Sequence, residues 1–233
     1  MNYFSSISIS VVTLSFIVYY FIVYAEKTMD FFIKNNGKEK AKITAIIFQR
    51  LAGVFFFGIV PLIFIVAMNQ RFTDVGLSFE SKSPMWGWIL GLGAVCFIIN
   101  YFSAKKDDHL AVYPQIRTPQ PWSRTLLIIS SLTLTLYTLA YEMMFRGYLL
   151  FSCEKELGMW LAIIINTVIY TLVHLPKGWK ETVGSIPMGI VLCWLTLKSG
   201  NIWAAFFIHI SLVLSSEWFS IREHQNRAAV KGT

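Results

Sequence analysis

Residues 134–151 read LTLYTLAYEMMFRGYLLF. Only two of these eighteen residues are charged, Glu142 and Arg146. A run of this length and apolarity suits a helix crossing hydrocarbon, where backbone groups must bond within their own segment. At 3.6 residues per turn, Glu142 and Arg146 fall on one face, one turn apart. Charge at membrane depth is rare and faces protein or a wet cavity rather than lipid. The stretch therefore argues for a helix bundle and, within it, for a polar interior site.

Similar apolar runs fill the chain on both sides. Spans are expected at 5–25, 43–69, 84–104, 124–153, 159–175, 181–198 and 201–219. These make an all-α polytopic transmembrane bundle of seven spans. The composition agrees, with 55% hydrophobic and only 14% charged residues, and eight tryptophans suited to bilayer interfaces. The first run continues through Tyr24 and lacks a basic leader, so it is expected to remain as a span rather than be cleaved. Residues 1–120 form an N-terminal set of three spans, 121–219 a helical core carrying the polar site, and 220–233 a short, polar, flexible tail. The sizeable connections are expected at 26–42 and 105–123. Gly87 and Gly91 have the G-x-x-x-G spacing that permits close helix approach, and Pro187 should loosen the sixth span.

The net charge of +7 resides mainly in the connections. Fourteen Lys and Arg fall on one side of the predicted spans, and Arg71, Lys82, Lys155 and Lys198 on the other. The positive-inside rule makes the first side cytoplasmic, giving an external N-terminus and a cytoplasmic C-terminus in the cell membrane. Orientation thus accounts for the basic excess, and no nucleic-acid partner is expected. Cys96, Cys153 and Cys193 lack paired spacing, so no disulfide framework or zinc knuckle is read. Of the two basic residues inside spans, Arg50 lies near a helix end, where its side chain can snorkel to the interface.

Glu142 and Arg146 could form a purely structural ion pair. Two further polar groups favour a site: His174 in IIINTVIYTLVH (163–174) and His209 in NIWAAFFIHISLVL (201–214). Glu142 and His174 each lie sixteen residues from Gly158, the break in FSCEKELGMW (151–160). A hairpin turning at Gly158 would set that carboxylate and imidazole at equal depth, because both arms rise equally per residue. The depth of His209 is open. A buried carboxylate beside an imidazole can activate water, and a second imidazole or a guanidinium can stabilise the oxyanion formed when water attacks an amide. H-E-x-x-H spacing is absent, so neither a metal nor another cofactor is expected.

YEMMFRG (141–147) resembles the first motif of the CPBP family, the CAAX-protease and bacteriocin-processing (Abi) intramembrane proteases, which is two glutamates, three variable residues and an arginine. Glu142 matches the second glutamate and Arg146 the arginine; Tyr170 with His174 matches the second motif, and His209 the third. The resemblance covers residues 125–219. It implies an intramembrane glutamic-type endopeptidase acting on a membrane-associated peptide or protein, with Glu142 and His174 handling water and proton, His209 binding the oxyanion and Arg146 holding Glu142. Tyr141 replaces the first glutamate, and Val213 replaces the asparagine expected four residues after His209. A branch of the family has a single first-motif glutamate, and H-x-x-K-x-x-x-E is similar to it, which makes Glu181 a candidate orienter or base. The same replacements also suit a non-catalytic scaffold, regulator or immunity-type protein, and a polar cluster in a bundle suits a small transporter or proton-coupled channel.

Overall fold

A computed structural model describes residues 3–231. Seven long helices account for the bundle: α1 (Phe4–Val23), α2 (Glu26–Ala67), α3 (Trp86–Ser103), α4 (Arg124–Leu157), α5 (Met159–Leu172), α6 (Trp179–Ser199) and α7 (Trp203–Lys231). Six are long and apolar enough to cross a membrane, and α5 is a shorter apolar helix. Among the described residues there is no strand. The expected all-α polytopic bundle is therefore present, and the chain is a multi-pass membrane protein.

The outer surface follows from the solvent. Leu14, Phe21, Ile63, Leu90, Ile128 and Ile164 are among the large apolar side chains left exposed. In a soluble protein such a belt would be a liability, but in a bilayer it faces acyl chains. Aromatic residues fill the interior: Tyr19, Phe57, Tyr141, Phe145, Tyr148 and Tyr170 belong to one buried cluster joining α1, α2, α4 and α5. Helix α7 packs along α3 and α4, while α5 packs on α6.

Several boundaries differ from the sequence reading. Residues 26–42 are helical rather than a connection; Gly37, at φ 74°, breaks α2 where its polar first part meets the membrane span. Helix α7 passes Phe219 and runs to Lys231, so most of the expected flexible tail is ordered as its last turns, while Gly232 and Thr233, with Met1 and Asn2, lie outside the described residues. Gly87 and Gly91 face open space and make no close helix approach. That role falls to Gly189 of α6, where an added Cβ would sit 3.2 Å from the Tyr170 ring and 3.3 Å from Thr167 of α5. Pro187 is accommodated inside a continuous α6. The chain does turn at Gly158, whose φ of 80° favours glycine.

Two helices contain π turns, at Val54–Ile59 in α2 and Met143–Leu149 in α4. Their helices meet closely, since a Cβ on Gly58 would lie 3.2 Å from that of Ala140. One turn earlier, a Cβ on Gly53 would come within 2.2 Å of the Tyr137 ring, which is confined by Phe57 and Tyr141 at 6.0 Å each. Gly53→Ala should therefore lower stability by about 1–3 kcal/mol, the usual range for overpacking. Gly91→Ala, on an open face, should stay within about 0.5 kcal/mol. Thermal unfolding of both variants in detergent provides the comparison.

Candidate active site

The π turn of α4 begins directly after Glu142 and includes Arg146. Widening a helix leaves carbonyls without their usual partners, and such turns recur at functional sites. Asn166 of α5 adds a bond to this turn, its Nδ2 donating at 2.5 Å to the Phe145 carbonyl, which also accepts from the Leu150 N–H. The Cys193 thiol of α6 donates in turn to Asn166 Oδ1 at 3.2 Å. These bonds fix the stretch that carries the charged pair between two other helices.

Glu142 and Arg146 are both fully buried. The guanidinium Nε lies 3.5 Å from Glu142 Oε2, and the guanidinium carbon lies 4.1 Å from the centre of the Tyr170 ring. Arg146 is thus held by a carboxylate on one side and an aromatic face on the other, an arrangement a planar guanidinium suits better than an ammonium. The closest partner of Glu142 is instead on α7: His209 Nδ1 approaches Oε1 at 2.5 Å. A carboxylate accepts, so this nitrogen carries the proton and donates. The neutral imidazole then has its basic lone pair on Nε2.

His174 does not make the bond to Glu142 that equal spacing from Gly158 suggested. It follows the last turn of α5, and its Nδ1 donates to the Tyr170 carbonyl at 2.8 Å. A carbonyl can only accept, which fixes the Nδ1–H tautomer for the neutral ring and again gives Nε2 the lone pair. Both imidazoles flank Tyr141, with ring centres 6.2 Å away for His174 and 5.8 Å for His209. Tyr141, His174, His209 and Val213 line one interior cavity of ≈ 30 Å³. A water needs roughly 10–15 Å³ of such space, so one or two fit. Glu142 stands behind His209 and does not reach the cavity wall.

The other end of this cavity is closed by groups the sequence reading left unassigned. Tyr113 and Gln115, from the segment between α3 and α4, lie across it with Glu217 of α7. Glu217 accepts from the Gln115 backbone N–H at 3.2 Å and from Arg50 at 2.8 Å. Arg50 also donates to the Gln115 side chain at 2.9 Å and to Ser130, through its carbonyl at 2.8 Å and hydroxyl at 3.0 Å. Arg50 therefore does not reach out of the protein: it is 2% exposed and binds Gln115, Ser130 and Glu217, three residues far apart in sequence. One signal could have found Glu217. It lies eight residues after His209 on α7, close to two full turns and hence on the same face.

Glu181 sits in the first turn of α6 and accepts from the Tyr113 hydroxyl at 3.0 Å. It touches a wall residue of the cavity and does not line it. Burial beside this carboxylate pushes the Tyr113 phenol well above its ordinary value, so it remains a neutral donor at every working pH. His109 stacks on the same ring at 5.0 Å, and burial lowers its imidazole below the ordinary histidine value.

Of the five candidate residues, the fold joins Glu142, Arg146 and His209 directly, brings His174 to the same cavity as His209, and leaves Glu181 one side chain away. No curated protein and no solved structure matches the chain. Residues 120–215, which hold Glu142, Arg146, His174 and His209, match the family model described as type II CAAX prenyl endopeptidase Rce1-like, the CPBP-type family that their motifs resemble.

Proposed function

We propose that the chain is an intramembrane endopeptidase that hydrolyses a peptide bond of a membrane-associated substrate in the cavity between His174 and His209. The family match makes a CAAX-type protease-like function the starting point. The observation that carries the reading further is the 2.5 Å bond from His209 Nδ1 to Glu142, behind a wall shared with His174. A carboxylate that accepts from one imidazole nitrogen fixes the tautomer and leaves the lone pair of the other free to take a proton, the logic of carboxylate–histidine pairs in hydrolases. His209 Nε2 takes a proton from water as that water attacks the scissile carbonyl, Glu142 stabilises the imidazolium formed, and the imidazolium then gives its Nε2 proton to the leaving amine as the C–N bond breaks. His174 faces the same space and, carrying a proton on Nε2 as well as on Nδ1, donates from Nε2 to the oxygen as negative charge grows on it. Arg146 holds Glu142 in place. In this scheme His209 takes the basic role and His174 the electrostatic one, reversing the roles implied by the family resemblance.

The substrate side is a membrane-embedded or membrane-anchored peptide or protein in the cell membrane, with the Tyr113–Gln115 end of the site and the C-terminus on the cytoplasmic side, as the Lys and Arg distribution favours. A second reading rests on Tyr141 and Val213, which line the cavity where the family places a carboxylate and an amide donor. In that reading the cavity binds a partner without cutting it. Purified protein in lipid nanodiscs, incubated with a library of prenylated and unmodified membrane-anchored peptides, separates the two. Turnover of any member should fall about a hundredfold in His174→Ala, the scale for one positioned acid, base or oxyanion group. If no peptide is cut, or if His174→Ala cuts as fast as the parent protein, hydrolysis at this site is wrong.

A further inference from the structure

The four basic residues that the sequence places apart from the other fourteen converge in three dimensions. Arg71 and Lys82 come from the connection between α2 and α3, Lys155 from the end of α4, and Lys198 from the end of α6. All four are exposed, and all four line one cleft of ≈ 570 Å³. Helix α6 starts beside Tyr113 and ends at this cleft, and the cleft shares no lining residue with the cavity of His174 and His209.

The cleft has a fixed framework. The Lys82 backbone N–H donates to the Ser199 carbonyl at 2.7 Å, Asn201 Nδ2 donates to the Glu80 carbonyl at 2.8 Å, and the Trp203 indole donates to the Ser78 carbonyl at 2.8 Å. These bonds stitch residues 78–82 to the turn joining α6 and α7. Gly200 in that turn, at φ 76°, gives the Lys82 stem its place: an added Cβ would meet Lys82 Cε at 2.9 Å. Lys82 is consequently held by its backbone and its aliphatic chain while its ammonium faces the cleft.

The charges do not cancel. Asp74 is engaged by Arg71 at 2.8 Å and 3.1 Å, and that hydrogen bond holds its carboxyl below the ordinary range. Glu154 is the remaining carboxylate of the lining. Among the described residues, none of Lys82, Lys155 and Lys198 has a carboxylate within 4.0 Å. Phe151, Met159 and Leu197 supply an apolar wall beside the cations. Several ammonium groups around a headgroup-sized space, with an apolar side, suit a phosphate carried on an amphiphile.

We propose that this cleft is a phosphate-binding site, separate from the cavity of His174 and His209, whose ligand is an anionic phospholipid headgroup or a free phosphate compound. Full-length protein in detergent is tested with phosphatidylglycerol, phosphatidylcholine and inorganic phosphate, by native mass spectrometry for the lipids and by thermal shift for the ion. Lys82→Ala/Lys198→Ala should weaken phosphatidylglycerol binding by about thirtyfold, from roughly a factor of five per lysine. Lys82→Arg/Lys198→Arg should retain binding within a few-fold, and its parent-like unfolding temperature controls for folding. Selective loss of phosphatidylglycerol, with no response to inorganic phosphate, identifies a lipid headgroup. Stabilisation of the parent but not the alanine variant by inorganic phosphate identifies a soluble ligand. Equal lipid retention by parent and alanine variant without such a shift, or no binding of either anion by the parent, overturns the proposal.

Discussion

Glu142→Ala is expected to lower the stability of the folded protein by about 3–5 kcal/mol, the scale for stripping a buried ion of its partner. Arg146 is fully buried, and its charge is balanced by Glu142 at 3.5 Å, with the Tyr170 face adding a weaker attraction. Without that carboxylate the guanidinium is left charged in a low-dielectric interior, since it does not lose its proton in proteins. His209 loses its acceptor in the same step. Glu142→Ala/Arg146→Met removes both charges and should recover much of the loss, because a buried pair replaced by apolar groups of similar size is often neutral. Glu142→Gln retains the shape and an acceptor for His209 and should fall between the two. Denaturant unfolding in detergent micelles, arranged as a double-mutant cycle, supplies the coupling. A Glu142→Ala loss below about 1 kcal/mol, the median scale of exposed pairs, would mean that Arg146 has solvent or another partner.

The same cycle separates the architectural role of the pair from its chemical one. If Glu142 serves only to neutralise Arg146, the double variant should regain both stability and turnover. In the proposed mechanism it regains stability alone, because His209 still lacks the carboxylate that fixes its tautomer.

The bundle was readable because lipid constrains a chain more tightly than water does. Runs such as 84–104 and 201–219 have one structural solution, and α3 lies close to those limits at both ends and α7 at its start. The errors fell where charge and polarity enter. Residues 26–42 read as a connection because they are polar, yet a helix at a membrane surface needs no apolar continuity. Gly87 and Gly91 have a spacing that allows close approach, but spacing does not reveal which face another helix covers. The Gly158 turn was visible in a single residue, while the equal spacing of Glu142 and His174 from it did not decide their partners. That choice depended on the placement of α7, sixty-seven residues away from Glu142 at His209, and on a π turn that starts at Met143. Neither the rotation of a distant helix nor the widening of a local turn leaves a periodic mark in sequence. The resemblance to the family matched over 120–215 rests on Glu142, Arg146, Tyr170, His174 and His209, polar or aromatic groups set in otherwise apolar runs.

Arg50→Ala should lower stability by about 3–5 kcal/mol, against near neutrality for a snorkelling side chain. The difference follows from its surroundings. Arg50 is 2% exposed and Glu217 also 2%, and their nitrogen and oxygen are 2.8 Å apart. Removing the guanidinium leaves Glu217 buried with only the Gln115 N–H and takes a donor from the Ser130 hydroxyl. The consequence should spread beyond the pair, because Arg50 and Glu217 together anchor Gln115, and Gln115 closes one end of the cavity. Arg117, which donates to the Leu110 carbonyl at 2.9 Å and the Ala111 carbonyl at 2.6 Å, still braces the neighbouring turn. Loosening should therefore centre on residues 113–116 rather than on the whole connection. Hydrogen–deuterium exchange should show faster labelling of the peptide spanning those residues in Arg50→Ala, with the Arg117-braced turn at 107–112 less affected. Arg50→Met/Glu217→Leu should recover stability while the faster exchange at 113–116 persists, since neither replacement can hold Gln115. A parent-like exchange rate at 113–116 in both variants would show that the segment is held over the cavity by something other than this pair.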